Sequence, residues 1–207
     1  MNNSKLETRN SKPAAFILAG GKSSRMGGKD KASLTLAGQT LLEVMRAKAQ
    51  AISDKIFIVG SQQKFGAAAI EDVFPNRGPL GGIHAALRNS QAELNLMLAV
   101  DLPFIEPSFL RYLVEQAEAS QAIVTVPRTA AGWQPLCAVY RRSFADLAEQ
   151  AVAAGRNKID ALFAGLSLRV IDEAELKQAG FSSEIFVNVN TPEDFASAER
   201  SISKSPS

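Results

Sequence analysis

"AAFILAGGKSSRMGGKDKA", residues 14–32, decides how this chain is read. Ala14 to Leu18 is a short apolar run that ends abruptly in Ala-Gly-Gly, the pattern of a buried β-strand emptying into a glycine loop. Glycine has no Cβ and tolerates positive φ, so successive backbone N–H groups can turn inward around phosphate oxygens. Lys22, Arg25, Lys29 and Lys31 stand ready to neutralise that charge, against the single acid Asp30. The expected guest is a polyphosphate. Two common phosphate loops do not fit the letters. A P-loop needs Gly, four residues, then Gly-Lys-Ser/Thr, whereas Met26 follows the four residues after Gly21. The dinucleotide fingerprint needs spaced glycines, whereas Gly20 and Gly21 are adjacent and Lys22 stands where the second should be. A third kind of nucleotide loop is expected, with a solvated basic turn between strand and helix as the alternative.

The rest of the chain sets that loop in a parallel architecture. Apolar segments such as KIFIVG (55–60) and LNLMLAV (94–100) alternate with amphipathic ones such as LLEVMRAKAQAIS (41–53) and IHAALRNSQAE (83–93), the rhythm of βαβ units. Further strands are expected at 122–126, 135–140, 168–171 and 185–189, and helices near 107–120, 143–154 and 192–202. The fold expected is α/β, a Rossmann-like three-layer α/β/α arrangement with a mostly parallel central sheet. It would occupy 13–202 as one domain between disordered tails at 1–12 and 203–207. In such sheets ligands bind beyond the carboxyl ends of the strands, and the unusual loops fall there.

Composition narrows the chemistry. With 23 cations against 21 acids in 207 residues, the net charge of +2 is too balanced for a protein whose main partner is a nucleic acid. No apolar run reaches the length of a membrane span, and the polar start MNNSKLETRNSK lacks the apolar core of a signal peptide, so a cytoplasmic protein is expected. The single cysteine, Cys137, lies in an apolar run and reads as a buried structural thiol; the single histidine, His84, reads as a structural helix residue. Acyl transfer and histidine-driven acid–base chemistry therefore find little support.

Phosphoryl-type transfer fits better, because an acceptor phosphate is already largely ionised at neutral pH and needs no general base. Asp101 closes the strand LNLMLAV just before Leu102-Pro103, a carboxylate delivered at the sheet edge where Mg²⁺ could meet nucleotide phosphates; a turn or cap role is the alternative. Asp72 could face the same crevice, while Glu71 is expected to point to solvent. "GPLGGIHAAL" (78–87) reads as a tight loop leading into a helix, with Gly81 and Gly82 letting a flat ligand approach the backbone. "FVNVNTPEDF" (186–195) puts Asn188 and Asn190 on one side of a strand and Thr191 at a helix N-cap. Trp133 and Gln134 stand in a loop before a strand, where packing is the default for the ring.

Taken together, LAGGKSSRMGGKDK (18–31), GPLGG (78–82), VDLPF (100–104), QPL (134–136) and NVNTPED (188–194) resemble the molybdenum cofactor guanylyltransferases, within the nucleotidyltransferase superfamily. The resemblance covers nearly the whole chain. It implies the fold of the nucleotide-diphospho-sugar transferases and transfer of GMP from GTP to metal-loaded molybdopterin, releasing pyrophosphate. By position it implies that Leu18, Ala19, Gly20 and Gly21 contact the nucleotide, Arg25 and Lys31 its phosphates, Asp72 the guanosine and Asp101 the Mg²⁺, with Mn²⁺ possible. Gln134, Asn188 and Asn190 would serve the substrate, and molybdopterin-inserting proteins or molybdoenzymes would be transient partners. Family members often carry Asn in the loop where this sequence has Gly60 and Ser61. Related cytidylyl and sugar-1-phosphate enzymes favour Ala where Gly21 stands here, which argues for GTP; those enzymes and a non-catalytic nucleotide-binding protein are the alternatives.

Overall fold

A computed structural model describes residues 12–20, 31–74, 77–191 and 194–195. Gly21, Arg25 and most of the glycine loop lie outside the described residues, as do the expected tails, apart from Lys12, and nearly all of the expected helix at 192–202. Strand β1 (Ala14–Leu18) is buried along its whole length, as a strand with a neighbour on each edge and a layer on each face must be. It pairs in parallel with β4 (Ile56–Val59) on one side and β5 (Leu94–Ala99) on the other. Beyond β5 the sheet continues through β8 (Cys137–Arg141), β6 (Val124–Thr129), and then both β9 (Leu168–Asp172) and the two-residue β7 (Gly132–Trp133). β8 runs antiparallel to both β5 and β6, and β9 is parallel to β6. Hence β4, β1, β5, β6 and β9 point one way and the sheet is mostly parallel.

Period-two alternation divides the core between the two faces. Ala15 and Ile17 join Leu96 and Leu98 against α1 (Leu41–Gln50) and α4 (Pro107–Glu118). Phe16 and Leu18 join Met97 against α3 (Pro79–Asn89) and α5 (Phe144–Ala153). Three layers result, as the strand–helix rhythm predicts. α1 begins at a capping box in which Thr40 Oγ1 accepts from Glu43 N–H at 3.2 Å and Glu43 Oε2 accepts from Thr40 N–H at 2.8 Å. A small hairpin, β2 (Thr35–Leu36) and β3 (Gln39–Thr40), precedes it, turning at Ala37 (φ 50°) and Gly38 (φ 83°). Among the described residues no helix is long and apolar enough to cross a membrane.

Several expected elements differ. No strand forms at 185–189. Ser183–Phe186 is a 3₁₀ turn, whose start Ser182 caps by accepting from Glu184 N–H. Ile185 and Phe186 are neighbours in sequence and both enter the same face of the core, which strand alternation would forbid. β6 and β8 each begin two residues late. Ala122 N–H is taken by Ser120 Oγ, and Pro135 has no N–H to give a ladder. α3 starts earlier than read: Pro79 occupies its first position, where a preset φ helps and no N–H is needed, after Gly78 at φ 66°. Gly81 and Gly82 are therefore helical, not loop residues.

Candidate active site

The carboxyl ends of β1, β4 and β5 open into a cavity of about 840 Å³, within the range of small-molecule sites. Leu18, Ala19 and Gly20 line it from β1, Val59 and Gly60 from β4, and Val100 and Asp101 from the end of β5. The rims are stitched to one another, with Ala19 N–H donating to Val59 O at 2.9 Å and Val100 N–H to Leu18 O at 3.2 Å. Gly78, Pro79 and Gly82 add the start of α3, and Leu136 adds an apolar edge.

One corner is built from charges far apart in sequence. Lys31, in the 3₁₀ turn Lys31–Ser33, donates from Nζ to Asp101 Oδ2 at 2.9 Å and to Asn190 Oδ1. Both ionic side chains are mostly buried, at 26% and 17% exposed. Asn190 is placed by two links. Val189 N–H donates to Asp101 O at 2.9 Å, and Asp194 Oδ2 accepts from the N–H groups of Asn190 and Thr191, each at 2.9 Å. Thr191 Oγ1 accepts in turn from Asp194 N–H. These bonds, chiefly the one from Asn190, hold the Asp194 carboxyl below the usual range. Asp194, the last residue of NVNTPED, supports the corner from behind; it was given no role of its own in the sequence, although Thr191-x-x-Asp194 has capping-box spacing.

The opposite wall depends on close approach. Asp72 Oδ1 accepts from Phe74 N–H at 2.7 Å, and the carboxylate lies over Gly81, where a Cβ would come within 2.8 Å of Asp72 Cγ. Burial pushes the Asp72 carboxyl up, opposed by the Phe74 bond and by His84. Glu71 is exposed, as expected, yet its Oε1 accepts from Gln62 N–H at 2.7 Å and pins the short helix α2 (Gln62–Phe65). That helix brings Lys64 and Phe65 to the cavity, two residues that no periodicity or motif signals. A Cβ on Gly60 would meet the Phe65 ring at 2.8 Å, so Gly60 and Phe65 together form the surface at this end of β4.

Leu18, Ala19, Gly20, Lys31, Asp72 and Asp101 thus come together, and Asn190 joins through Lys31. Gln134 and Asn188 do not line the cavity. Gln134 turns back on β6, its N–H on Pro127 O at 2.9 Å and its Nε2 towards Thr129 Oγ1 at 3.5 Å. Asn188 is exposed, because without a strand it shares no face with Asn190. Trp133 packs edge-on to Phe163 at 5.2 Å and under the Arg128 guanidinium, as ordinary packing requires. Cys137 is fully buried and its thiol is pushed up, which suits a structural role.

Among the described lining residues two lysines face three carboxylates, an acidic balance for a site that would hold phosphates. Asp101, one carboxylate beside the Lys31 ammonium, is the kind of protein ligand Mg²⁺ uses when nucleotide oxygens and water complete its shell. No cluster of three or more acidic, His or Cys side chains exists among the described residues to cage a metal without the nucleotide.

Comparison with known proteins gives the family. The MobA-like NTP transferase domain matches residues 15–170. A probable molybdenum cofactor guanylyltransferase of Clostridium perfringens is 33% identical over 190 residues, 89% of this chain and 94% of its own. The molybdenum cofactor guanylyltransferase of Desulfosudis oleivorans is 33% identical over 90% of this chain and 94% of its own. The crystal structure of molybdopterin-guanine dinucleotide biosynthesis protein A from Archaeoglobus fulgidus superposes with a TM-score of 0.80 at 29% identity, covering 93% of this chain and all of that one. With sequence and fold matched along nearly its whole length, this chain belongs to the MobA-like nucleotidyltransferases, enzymes of molybdenum cofactor biosynthesis.

Proposed function

We propose that the cavity binds GTP and that the enzyme joins its GMP moiety to the phosphate of molybdopterin in the metal-loaded form. The products are the guanine dinucleotide cofactor and pyrophosphate. The observation that carries this reading is the Lys31–Asp101–Asn190 corner beside the end of β1, a cation and a carboxylate held at a strand edge within a nucleotide-sized cleft. The guanylyltransferase names of the relatives supply the base and the acceptor.

In the step, an oxygen of the acceptor phosphate forms a bond to the α-phosphorus of GTP. The bond from that phosphorus to the oxygen bridging to the β-phosphorus breaks, and pyrophosphate departs with the electron pair. The attacking oxygen is already ionised, so no side chain need remove a proton. Lys31 offers its ammonium to the phosphates, and Asn190 and Asp101 keep that ammonium at the cavity wall. Asp101 would hold Mg²⁺, which when bound offsets charge on the transferring phosphoryl group. Leu18, Ala19 and Gly20 present backbone to the nucleotide, and Asp72 lies where a guanosine donor could reach it. Gly21 and Arg25 keep their expected roles at the nucleotide and its phosphates, while Gln134 and Asn188, which do not line the cavity, would meet only an acceptor that extends beyond it. The reaction is placed in the cytoplasm, as the sequence leads us to expect, and its product would pass to cofactor-inserting proteins or molybdoenzymes by transient contact.

Pyrophosphate release measured with each of the four nucleoside triphosphates, Mg²⁺ and molybdopterin tests the reading. Turnover with GTP alone is expected; turnover with CTP instead would reassign the enzyme to the cytidylyl branch. In parallel, GTP at a hundredfold over Kd should add about 2.7 kcal/mol to stability.

A further inference from the structure

His84 is the only histidine in the chain, 4% exposed on the buried face of α3, and the proposed reaction makes no use of it. Its Nε2 lies 3.4 Å from the Arg88 Nε donor and 3.5 Å from Glu149 Oε2. Its Nδ1 is buried without a hydrogen-bond partner among the described residues. A buried polar atom left unpaired costs stability, so it calls for a partner. An Arg side chain only donates, so Nε2 facing it is an acceptor and the imidazole hydrogen resides on Nδ1. A neutral ring donating from Nε2 to Glu149 would leave Nδ1 bare, but the Arg88 Nε donor at 3.4 Å lies nearer to Nε2 than Glu149 Oε2 at 3.5 Å, and it favours the Nδ1–H form. A buried donor is thereby left on the edge of the ring not taken up by Arg88 and Glu149.

Two neighbours, Gly81 and Phe74, bring Asp72 near that ring. The Asp72 carboxylate lies over Gly81, which precedes His84 by three residues on one face of α3. Phe74 touches both, its N–H on Asp72 Oδ1 at 2.7 Å and its ring edge-on to the imidazole at 5.1 Å. His84 also acts on the Asp72 charge, favouring the ionised form. Phe74 N–H is the only hydrogen bond to the Asp72 carboxylate among the described residues, and it engages Oδ1. Resting on the nucleotide-site reading, we propose that His84 is a positioning residue: its Nδ1–H, through one bridging water, fixes the Asp72 carboxylate at the cavity wall for the nucleoside, while Arg88 and Glu149 fix the ring from behind.

Because the histidine is unique, ¹⁵N-histidine labelling reports this one imidazole in the intact protein. We expect Nδ1 to carry its proton, and its resonance to move in Asp72→Asn and again when Mg-GTP is added. A bare Nδ1, or one indifferent to Asp72→Asn, would overturn the proposal, and neither result depends on turnover. In binding titrations, His84→Leu should weaken GTP roughly tenfold, the worth of one hydrogen bond. KM should rise with kcat nearly unchanged. His84→Asn, which keeps a donor near the Nδ1 position, should restore most of that loss, and His84→Leu should add little in an Asp72→Asn background. GTP affinity unchanged in His84→Leu, or His84→Asn no better than Leu, would contradict the role. Wild-type protein binding none of the four nucleoside triphosphates would instead contradict the nucleotide-site reading, while the Nδ1 response to Asp72→Asn would still decide the His84–Asp72 pair on its own.

Discussion

The two walls of the cavity are built on different principles. The corner of Lys31, Asp101 and Asn190 joins a cation to a carboxylate 70 residues away and to an amide 159 residues away, tied by explicit hydrogen bonds. The wall of Gly60, Phe65, Asp72 and Gly81 is shaped by absent side chains: a Cβ at Gly60 would strike the Phe65 ring, and one at Gly81 the Asp72 carboxylate. The first arrangement suits charge neutralisation on phosphates, where placement of a few ionic groups decides the rate. The second suits recognition of a flat base, where clearance decides affinity. Substitutions in the corner should therefore act on kcat, and those in the wall on KM.

The sharpest break should come at Asp101. Asp101→Asn keeps the shape and can still accept from Lys31, but it loses the charge for Mg²⁺, and turnover should fall roughly 10²–10³-fold with the circular dichroism spectrum unchanged. If Asp101 were only a turn residue, Asn would serve nearly as well, and near-normal pyrophosphate release would remove it from the site.

Asn190→Ala comes next. It frees one side of Lys31 without removing a charge, and kcat should drop about tenfold while the KM for GTP moves little. A change in KM alone would assign Asn190 to the nucleoside wall and blur the distinction between the two.

Gly81→Ala probes the wall itself. The added methyl must displace the Asp72 carboxylate, so the KM for GTP should rise several-fold with kcat preserved, and overpacking should cost about 1–3 kcal/mol in stability. Unchanged KM with the same loss of stability would show Asp72 idle in binding.

The smallest effect concerns Asp194. Its depressed pKa means that its contribution to stability is present above the ordinary carboxyl value of 3.8 and is lost as pH falls through the lower folded-state value. Asp194→Asn should remove that acid-side dependence of the melting temperature and slow turnover slightly by loosening Asn190. An identical acid limb in the variant would show that the cap does not order the loop.

The same contrast explains what the sequence made legible. Asp101 could be read because the apolar run before it announces the strand end, where ligands meet such sheets, and Lys31 because it belongs to the cation-rich glycine loop that follows β1. Asn190 was read for its amide but in the wrong setting, because Val187 to Asn190 alternates like a strand and only the burial of both Ile185 and Phe186 reveals the 3₁₀ turn. The wall was much less legible. Lys64 and Phe65 sit in a four-residue helix too short to show periodicity, and the roles of Gly60 and Gly81 depend on what lies about 3 Å away in space. Likewise, apolar content alone could not say that β8 runs against its neighbours. Charge at strand ends leaves a local signature; clearance between segments does not.

The division of labour in the cavity is tested most directly by a crystal structure with Mn²⁺ and a GTP analogue that cannot be cleaved. We expect an anomalous peak for the metal against the Asp101 carboxylate, triphosphate oxygens within hydrogen-bond reach of Lys31 Nζ, and guanine along Gly60, Phe65 and Asp72. A base lodged at the Lys31–Asn190 corner, or metal bound away from Asp101, would contradict that division.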